Sequence, residues 1–337
     1  MAFDVTIQPS GHRFEVDDDE RILEAALRQG FAFPYGCRNG ACGSCKGRVL
    51  SGEVDHGPRK PPGITEAEIT DGYALFCQAV ALDDLEIEIR EIGAAKNIVV
   101  KTLPCRVASL EKVAPDVMIV RLQLPATEKL AFLPGQYLDI LLRDGSRRSY
   151  SIASTADDAL IEIHVRHLPG GAFSERVFSA LKEKDLLRFE GPLGRFFIDE
   201  ESVRPRIFVA GGTGFGPIQG MIDALADKGA LASDTLVWGA RDEVGFYRKA
   251  WLEQRVADGL RFIPVVSDAP ATFELVGVPA TAGYPADALL AQQPNLEAFD
   301  VYMAGPPPMI ESCRKAFLAA GLPDDRLFYD SFAPAAD

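Results

Sequence analysis

The sequence has few cysteines, no long apolar run and no secretory signal pattern, and each of these features bears on the class of protein. Cysteine is scarce, with six in 337 residues, and no apolar run is long enough to cross a bilayer. The opening stretch, MAFDVTIQPS, lacks the basic start and apolar core of a secretory signal. We therefore expect a cytoplasmic protein without a membrane span. Because thiols stay reduced in that compartment, the cysteines predict metal or redox chemistry and not a disulfide framework.

Positive charge is also in short supply. The chain has 35 Lys and Arg against 49 Asp and Glu, a net charge of −14, which argues against nucleic-acid binding. Residues 1–94 hold 17 acidic and 9 basic side chains, so −8 of this charge lies in the first quarter. This acidity is interpreted either as a solvated surface or as a docking face for a basic partner.

Three successive patterns predict a multidomain protein of α+β and α/β type. Residues 1–94 show hairpin-like alternation in FDVTIQ and HRFEV, and then a short helix in DDDERILEAALRQG, with acids in its first turn and Gly30 as its stop. Residues 95–102 are a predicted linker. Residues 103–199 contain six short strand patterns and one helix, which predicts an antiparallel six-stranded β-barrel. Residues 203–337 alternate strands with helices, which predicts a parallel sheet covered on both faces.

The stretch CRNGACGSC is the most specific motif of the first region. Its cysteines have the spacing C-x4-C-x2-C, and a further cysteine follows in ALFCQAV. Structural zinc typically uses two C-x2-C pairs, and a catalytic dithiol leaves two cysteines unexplained. Three cysteines in one loop with a distant fourth resemble the plant-type ferredoxin arrangement for a [2Fe–2S] cluster. The predicted metal ligands are Cys37, Cys42, Cys45 and Cys77. The glycines predicted to let the loop curl around the cluster are Gly36, Gly40 and Gly43.

The residues PYGCRNGACGSC, with LFCQ further on, resemble the plant-type ferredoxin domain. The resemblance implies a β-grasp fold and a [2Fe–2S] cluster bound by all four cysteines. Cys105 and Cys313 lie outside the pattern and are interpreted as buried, apolar side chains.

Two motifs of the second region predict a flavin site. In RRSYS, the pattern R-x-Y-S offers an arginine for a pyrophosphate, a ring for stacking and a hydroxyl for a ring nitrogen, at Arg148, Tyr150 and Ser151. In HVRHLPGGAFSERVF, a glycine turn opens a helix whose positive end attracts phosphate, near Gly171 and Ser174. A purely structural cap is the alternative for Ser174.

Together and in this order, these motifs resemble the FAD domain of the ferredoxin-NADP reductase family. The resemblance implies that Arg148 and Ser174 hold the FAD pyrophosphate, and that Tyr150 and Ser151 are the catalytic residues at the isoalloxazine. The same segment has less specific matches to cofactor-lining positions at two further residues, His164 and Arg166. For the histidines of HVRH, His164 and His167, an ordinary place in a strand is an equal alternative.

The third region begins with RIFVAGGTGFGPIQGMI, a strand, a glycine turn and a helix. Its G-x-G-x-x-P pattern departs from the common G-x-G-x-x-G form, but it is similar to that of the reductase family, where the turn lets nucleotide phosphates approach the backbone. The predicted binding residues of this turn are Gly212, Thr213, Gly214 and Pro217.

Two later stretches complete the resemblance. VYMAGPPPMIESC is similar to the family signature C-G-P-P-x-M and retains Gly305 and Pro306, but Ala304 replaces its cysteine, which places the rate of hydride transfer in question. In RLFYDSF, Tyr329 and Phe332 correspond to residues that cover or approach the flavin, and core packing of the last strand is the alternative.

The domain order resembles the single-chain reductases of Rieske-type dioxygenases and di-iron monooxygenases, and within them the CDP-6-deoxy-Δ3,4-glucoseen reductase type. It implies electron transfer from NAD(P)H through FAD and the cluster to a partner protein, either an oxygenase or a pyridoxamine-dependent dehydrase. After the second strand of this region, Arg241 could meet the 2′-phosphate of NADPH, and Asp242 could accept from ribose hydroxyls or repel that phosphate. Since a single arginine lacks the basic cluster that this dianion prefers, NADH is expected to be favoured. A monomer is expected. The alternatives are a stand-alone reductase of a small acceptor and a redox-sensing binding module.

Overall fold

A computed structural model describes residues 2–31, 33–36, 38–41, 43–57, 59–89 and 98–332. The chain divides into two compact units. The first runs to Ile98 and includes Gly194–Phe196, and the second comprises Val99–Leu193 and Phe197–Phe332. The predicted flavin and nucleotide regions therefore lie within one unit. Within the described residues, no helix is both long enough and apolar enough to cross a membrane.

A mixed five-stranded sheet organises the first unit. In chain order the elements are β1 (Ala2–Gln8), β2 (Arg13–Asp17), α1 (Ile22–Arg28), β3 (Lys46–Ser51), β4 (Val54–Asp55), α2 (Glu66–Thr70), β5 (Tyr73–Leu75), β6 (Val80–Ala81) and β7 (Leu85–Glu88). The strand order is β2-β1-β7-β3-β5, with β1 and β7 parallel and the other neighbours antiparallel. The predicted hairpin of β1 and β2 is confirmed. Alternation along β1 buries Val5 and Ile7 in the core of this unit.

The helix predicted in DDDERILEAALRQG is present as α1, but it begins later than the acidic run. Residues 17–20 precede it, and Glu24 is the acidic residue of its first turn. Gly30 lies just past its end with a φ of 86°. The predicted stop is therefore correct, and the predicted position of the acids is wrong.

The second unit begins with a six-stranded antiparallel sheet. Its elements are β8 (Lys101–Ala114), β9 (Val117–Gln123), β10 (Tyr137–Leu141), β11 (Arg147–Ser151), β12 (Ile161–Arg166), α3 (Ala172–Ser179) and β13 (Leu186–Leu193). All six predicted strands are present, in the order β11-β10-β13-β8-β9-β12. The edge strands β11 and β12 are joined by one isolated bridge, between Ile152 and Ile163, so a closed barrel is not confirmed. The last two residues of the predicted linker, Lys101 and Thr102, already belong to β8.

A six-stranded parallel sheet follows in the same unit. Its elements are β14 (Arg206–Gly211), α4 (Phe215–Asp227), β15 (Thr235–Ala240), α5 (Lys249–Ala257), β16 (Arg261–Val266), β17 (Glu274–Leu275), β18 (Val278–Pro279), β19 (Thr281–Ala282), α6 (Pro285–Leu290), β20 (Asp300–Gly305), α7 (Pro307–Ala319) and β21 (Leu327–Ser331). The order β19-β16-β15-β14-β20-β21 confirms the predicted parallel sheet. Since its strands are buried on both faces, they are nearly continuous apolar runs, as in Ile207–Ala210. The short hairpin of β17 and β18 was not predicted.

Candidate active site

The cysteine loop lies in the first unit between α1 and β3. Cys45 and Cys77 are each 2% exposed, and their segments are tied together because the Phe76 N–H donates to the Cys45 carbonyl at 3.1 Å. Cys37 and Cys42 lie outside the described residues. Among the described residues, no group of three or more His, Cys, Asp or Glu side chains is arranged to hold a metal.

The backbone of this loop has the curvature that the sequence predicted. Gly40 and Gly43 have φ values of 81° and 75°, in the region that glycine adopts without strain. A Cβ atom on Gly40 would lie 2.8 Å from Pro61 Cβ, and Gln78 Nε2 donates to the Arg38 carbonyl at 3.1 Å. Two buried thiols beside a tightly curled backbone fit the donor set of a [2Fe–2S] cluster.

The predicted flavin residues of β11 lie on an accessible edge strand of the antiparallel sheet. Arg148 and Tyr150 are half-buried and alternate with Ser149, whose hydroxyl donates to Asp139 at 2.6 Å. The Tyr150 ring packs against Phe173 of α3, with centroids 5.3 Å apart. Burial raises the pKa of its hydroxyl well above the ordinary value. The sheet thus presents an arginine and a neutral aromatic side chain together.

Ser151 has a partner that the sequence did not reveal. Its hydroxyl donates to Asp330 of β21 at 3.2 Å. Phe332 follows that strand, and its N–H donates to the Gly305 carbonyl at 2.9 Å. Tyr329 packs against the core of the parallel sheet, so core packing accounts for this residue. Strand β21 therefore brings Ser151 and the segment at Gly305 into one connected region.

The helix α3 begins at the predicted glycine turn, with Gly171 as its N-terminal flanking residue. Its first N–H groups have no acceptor within the helix, which suits a phosphate. The Ser174 hydroxyl does not cap the helix. It accepts from the Leu168 N–H at 3.2 Å and donates to the Leu168 carbonyl at 3.0 Å, so it shapes the turn. Its predicted contact with pyrophosphate stays a prediction.

His164 and Arg166 both lie on β12 but have different surroundings. His164 is buried, and both ring nitrogens are hydrogen-bonded within the protein, to Glu162 and Tyr247, so it offers a cofactor only ring packing. The Arg166 guanidinium lies beside the glycine turn, where a Cβ atom on Gly212 would be 2.7 Å from its Nη1. Asp116 holds its Nε at 3.1 Å. The Arg166 guanidinium thus lies directly against the glycine turn.

The two nucleotide motifs pack directly against each other. A Cβ atom on Gly214 would overlap the Ala304 carbonyl and lie 2.7 Å from Gly305 Cα, so this close approach requires glycine. Pro217 lies in the first turn of α4, as predicted. Gly212 and Thr213 are half-buried, and Pro306 is exposed. The turn has the close approach, the helix N-terminus and the adjacent arginine that a nucleotide phosphate needs.

A further acidic residue lies beside the predicted nucleotide-selecting pair. Arg241 and Asp242 are exposed after β15, and the Asp242 carboxylate accepts from the Gly245 N–H at 3.2 Å. Asp268, after β16, donates its N–H to the Arg241 carbonyl at 3.0 Å. Its carboxylate accepts from the Ser267 hydroxyl at 2.7 Å. Sequence reasoning missed Asp268, although its place just after a strand of a parallel sheet was a usable signal.

Comparisons with known proteins match three successive regions of the chain to three domain families. The 2Fe-2S iron-sulfur cluster binding domain matches residues 5–82, the oxidoreductase FAD-binding domain matches residues 104–198, and the oxidoreductase NAD-binding domain matches residues 208–315. The CDP-6-deoxy-L-threo-D-glycero-4-hexulose-3-dehydrase reductase of Yersinia pseudotuberculosis is 37% identical over 99% of this chain and all of that protein. The aromatic O-demethylase reductase subunit of Amycolatopsis is 34% identical over the full length of both.

Solved structures show the same likeness. The Amycolatopsis cytochrome P450 reductase GcoB has a TM-score of 0.80 and 33% identity, covering 99% of this chain and 100% of that one. The ferredoxin reductase in carbazole 1,9a-dioxygenase has a TM-score of 0.71 and 25% identity, covering 99% of each chain. A fold that carries cluster, flavin and nucleotide sites defines an iron–sulfur flavoprotein oxidoreductase. The chain belongs to the family of NAD(P)H-dependent iron–sulfur flavoprotein reductases, which confirms the predicted family, cofactors and electron-transfer function.

Proposed function

We propose that this chain is the reductase component of a two-protein system. It takes electrons from NADH and delivers them to a separate acceptor protein, an oxygenase or a dehydrase component. The observation that carries the proposal is the assembly of β11, the start of α3, the glycine turn and β21 in one unit, with the cysteine loop in another. FAD, when bound, would convert a two-electron donation into single-electron transfers.

The proposed roles follow the described geometry. The residues proposed to contact FAD are Arg148, Tyr150, Ser151, Arg166, Gly171, Ser174 and Phe332, with His164 contributing through packing alone. The residues proposed to contact the nucleotide are Gly212, Thr213, Gly214, Pro217, Arg241, Gly305 and Pro306. Among them, Ser151 and Tyr150 would hold the reacting ring in place. The residues proposed to hold the cluster are Cys37, Cys42, Cys45 and Cys77.

NADH is proposed as the preferred nucleotide. Asp242 and Asp268 both carry negative charge next to Arg241, and a 2′-phosphate would be repelled by these carboxylates.

We also propose domain limits of 1–94, 103–199 and 203–337, with a β-grasp fold for the first domain. For the second domain we propose a barrel closed between β11 and β12, which the Ile152–Ile163 bridge supports. A monomeric, cytoplasmic protein completes the proposal.

The experiment is an anaerobic titration of the purified protein with NADH. We expect the flavin absorption to bleach and a reduced-cluster signal to appear by electron paramagnetic resonance. Copurification from a native extract should then yield an oxygenase or dehydrase that the NADH-reduced protein reduces. A cluster that stays oxidised while the flavin is fully reduced would contradict the proposal, and reduction of a small acceptor without any protein partner would favour the stand-alone enzyme.

A further inference from the structure

A buried carboxylate on β12, to which the proposed function gives no role, is the centre of a polar network. The Glu162 side chain is 8% exposed. Its Oε1 accepts from His164 Nε2 at 3.1 Å and from Gln219 Nε2 at 3.1 Å. Its Oε2 accepts from Arg121 Nε of β9 at 2.8 Å. We call these residues, together with Tyr247 and Arg248, the Glu162 network.

The network joins the antiparallel sheet to two segments of the parallel-sheet region. Gln219 belongs to α4, the helix that begins at the glycine turn, and it also donates to the Ala153 carbonyl at 3.2 Å. Arg248 follows β15 and the Arg241–Asp242 pair. Its Nε donates to Gln219 Oε1 at 3.0 Å, and its Nη2 lies 3.5 Å from Glu162 Oε1. Two of the three segments proposed to hold the nucleotide, the glycine turn with α4 and the segment after β15, are thus anchored to one carboxylate.

The charges within the network follow from its burial and its hydrogen-bond partners. Burial alone would raise the pKa of Glu162, but the hydrogen bond from His164 and the charges of Arg248 and Arg121 lower it to about 2. Since the carboxylate can only accept, Nε2 of His164 carries a proton, and in the neutral ring Nδ1 then accepts from the Tyr247 hydroxyl at 3.0 Å. Burial lowers the pKa of His164, which favours the neutral ring. The network is therefore a single anion surrounded by donors.

Such an arrangement adds little to stability relative to an apolar core of the same shape, so its better-attested use is to select one geometry. Here the selected geometry involves the nucleotide site. Strand β12 carries Arg166 beside Gly212, and a Cβ atom on Gly216 of α4 would lie 3.4 Å from His164 Nδ1. A shift of α4 on β12 would move the glycine turn relative to Arg166.

We infer that Glu162 is a positioning residue, which holds the glycine turn and the segment after β15 against β12 and so controls how the nicotinamide reaches the flavin. This inference rests on the proposed function. Glu162 itself has no proposed contact with FAD, and its partner His164 is proposed to contribute ring packing only, so we expect the Glu162 variants to retain FAD.

The experiment measures flavin reduction by stopped flow as a function of NADH concentration, in FAD-loaded protein. Glu162→Gln removes the negative charge and places an amide donor where the neighbouring donors need an acceptor. We therefore expect the limiting rate of flavin reduction, divided by the NADH concentration that gives half of it, to fall about tenfold. Tyr247→Phe removes one donor to His164 and keeps the ring, and we expect a fall of about threefold. Because both act through His164, the double variant should lose less than the product of the two effects.

Glu111→Gln is the matched control. Glu111 pairs with the outer side of the same arginine, Arg121 Nη1, at 3.0 Å and is itself exposed, so its loss should leave flavin reduction unchanged.

Four outcomes would contradict one proposal or the other. If the wild-type flavin is not reduced by NADH, the proposed function fails. If the wild type is reduced and Glu162→Gln matches it per bound FAD, with only a lower melting temperature, the positioning role is overturned. Loss of FAD from Glu162→Gln would also overturn it. If that variant does not fold, a Tyr247→Phe protein with wild-type kinetics would overturn it.

Discussion

The cysteine loop and the Glu162 network both keep polar groups away from water, but the chain specifies them in different ways. Three predicted ligands of the loop, Cys37, Cys42 and Cys45, lie within nine consecutive positions, so their spacing in the sequence is enough to predict a cluster site. In the network, His164 and Tyr247 bond at 3.0 Å although they are 83 positions apart. A substitution in the cysteine loop should therefore damage the cluster site alone. The Glu162 network should instead be damaged by a change in any of the distant elements that pack around it.

The largest expected effect comes from breaking the loop with Cys45→Ser. Serine oxygen is a poorer cluster ligand than thiolate, so NADH-driven reduction of cytochrome c should fall more than about a hundredfold. The second unit has its own core, so reduction of ferricyanide, which the flavin serves directly, should persist. Both are measured in steady-state assays of FAD-loaded protein.

The control for this variant is Cys105→Ser. Cys105 is buried in the second unit, outside the motif, and its substitution should leave the cluster absorption intact. Partner reduction by Cys45→Ser without any cluster absorption would show that the loop is not on the electron path.

The next effect tests how tightly the assembled site depends on close packing. In Gly214→Ala the new methyl group would overlap the Ala304 carbonyl, and overpacking of this kind costs about 1 to 3 kcal/mol. We expect NADH-driven flavin reduction, followed by stopped flow, to slow about tenfold or more while the cluster spectrum is unchanged. Gly216→Ala in the same helix is the control, since its nearest contact would be an ordinary 3.4 Å; equal rates in the two variants would refute the packing argument.

Nucleotide choice tests a pair of residues that only folding brings together. Asp268→Ser removes a carboxylate beside Arg241, so kcat/KM for NADPH should rise about tenfold, with a smaller change for NADH. The wild type should favour NADH in the same assay. A wild type that favours NADPH would reverse the proposed preference.

A pH dependence should reveal a half-buried carboxyl on α4, that of Asp223. Burial raises the pKa of Asp223 to about 6, against hydrogen bonds to its Oδ1 from Trp251 and Arg255. The folded state therefore favours the protonated form, and the contribution of this group to stability is highest below its unfolded pKa of 3.8 and falls as pH rises to about 6. We measure the free energy of unfolding in urea for Asp223→Asn and for the wild type. As pH rises from about 4 to about 7, the value for Asp223→Asn should increase by about 1 to 3 kcal/mol relative to that of the wild type. Parallel pH profiles would show that Asp223 has an ordinary pKa.

The smallest expected effect concerns the one departure from the family signature. Ala304 is fully buried at the end of β20, against Gly214. Restoring the family residue with Ala304→Cys should change the rate of flavin reduction about two- to threefold and leave the cluster spectrum alone. An unchanged rate would mean that neighbouring residues already compensate for the alanine.

The secondary structure of the second unit was largely predictable, because period-two and strand–helix alternation are local properties of the chain. All six strands of the antiparallel sheet and the parallel order of the last region follow from such patterns. The acids before α1 were misplaced because the start of a helix depends on packing as well as on composition, and Arg21, not one of them, precedes Ile22. The β17–β18 hairpin was missed because its turn uses Val276 with a φ of 49°, a conformation that a β-branched residue rarely adopts.

The cysteine spacing, the R-x-Y-S strand and the glycine turn can be recognised in the amino-acid sequence alone, since each is a set of neighbours whose chemistry needs no knowledge of the fold. The residues that these motifs contact depend on the tertiary structure. It placed Arg166 at Gly212, gave Ser151 the partner Asp330, turned Ser174 toward Leu168 and buried Glu162 among donors from distant elements. These contacts join residues far apart in the chain, and a hydrogen bond between them is specified only by the way sheets and helices pack.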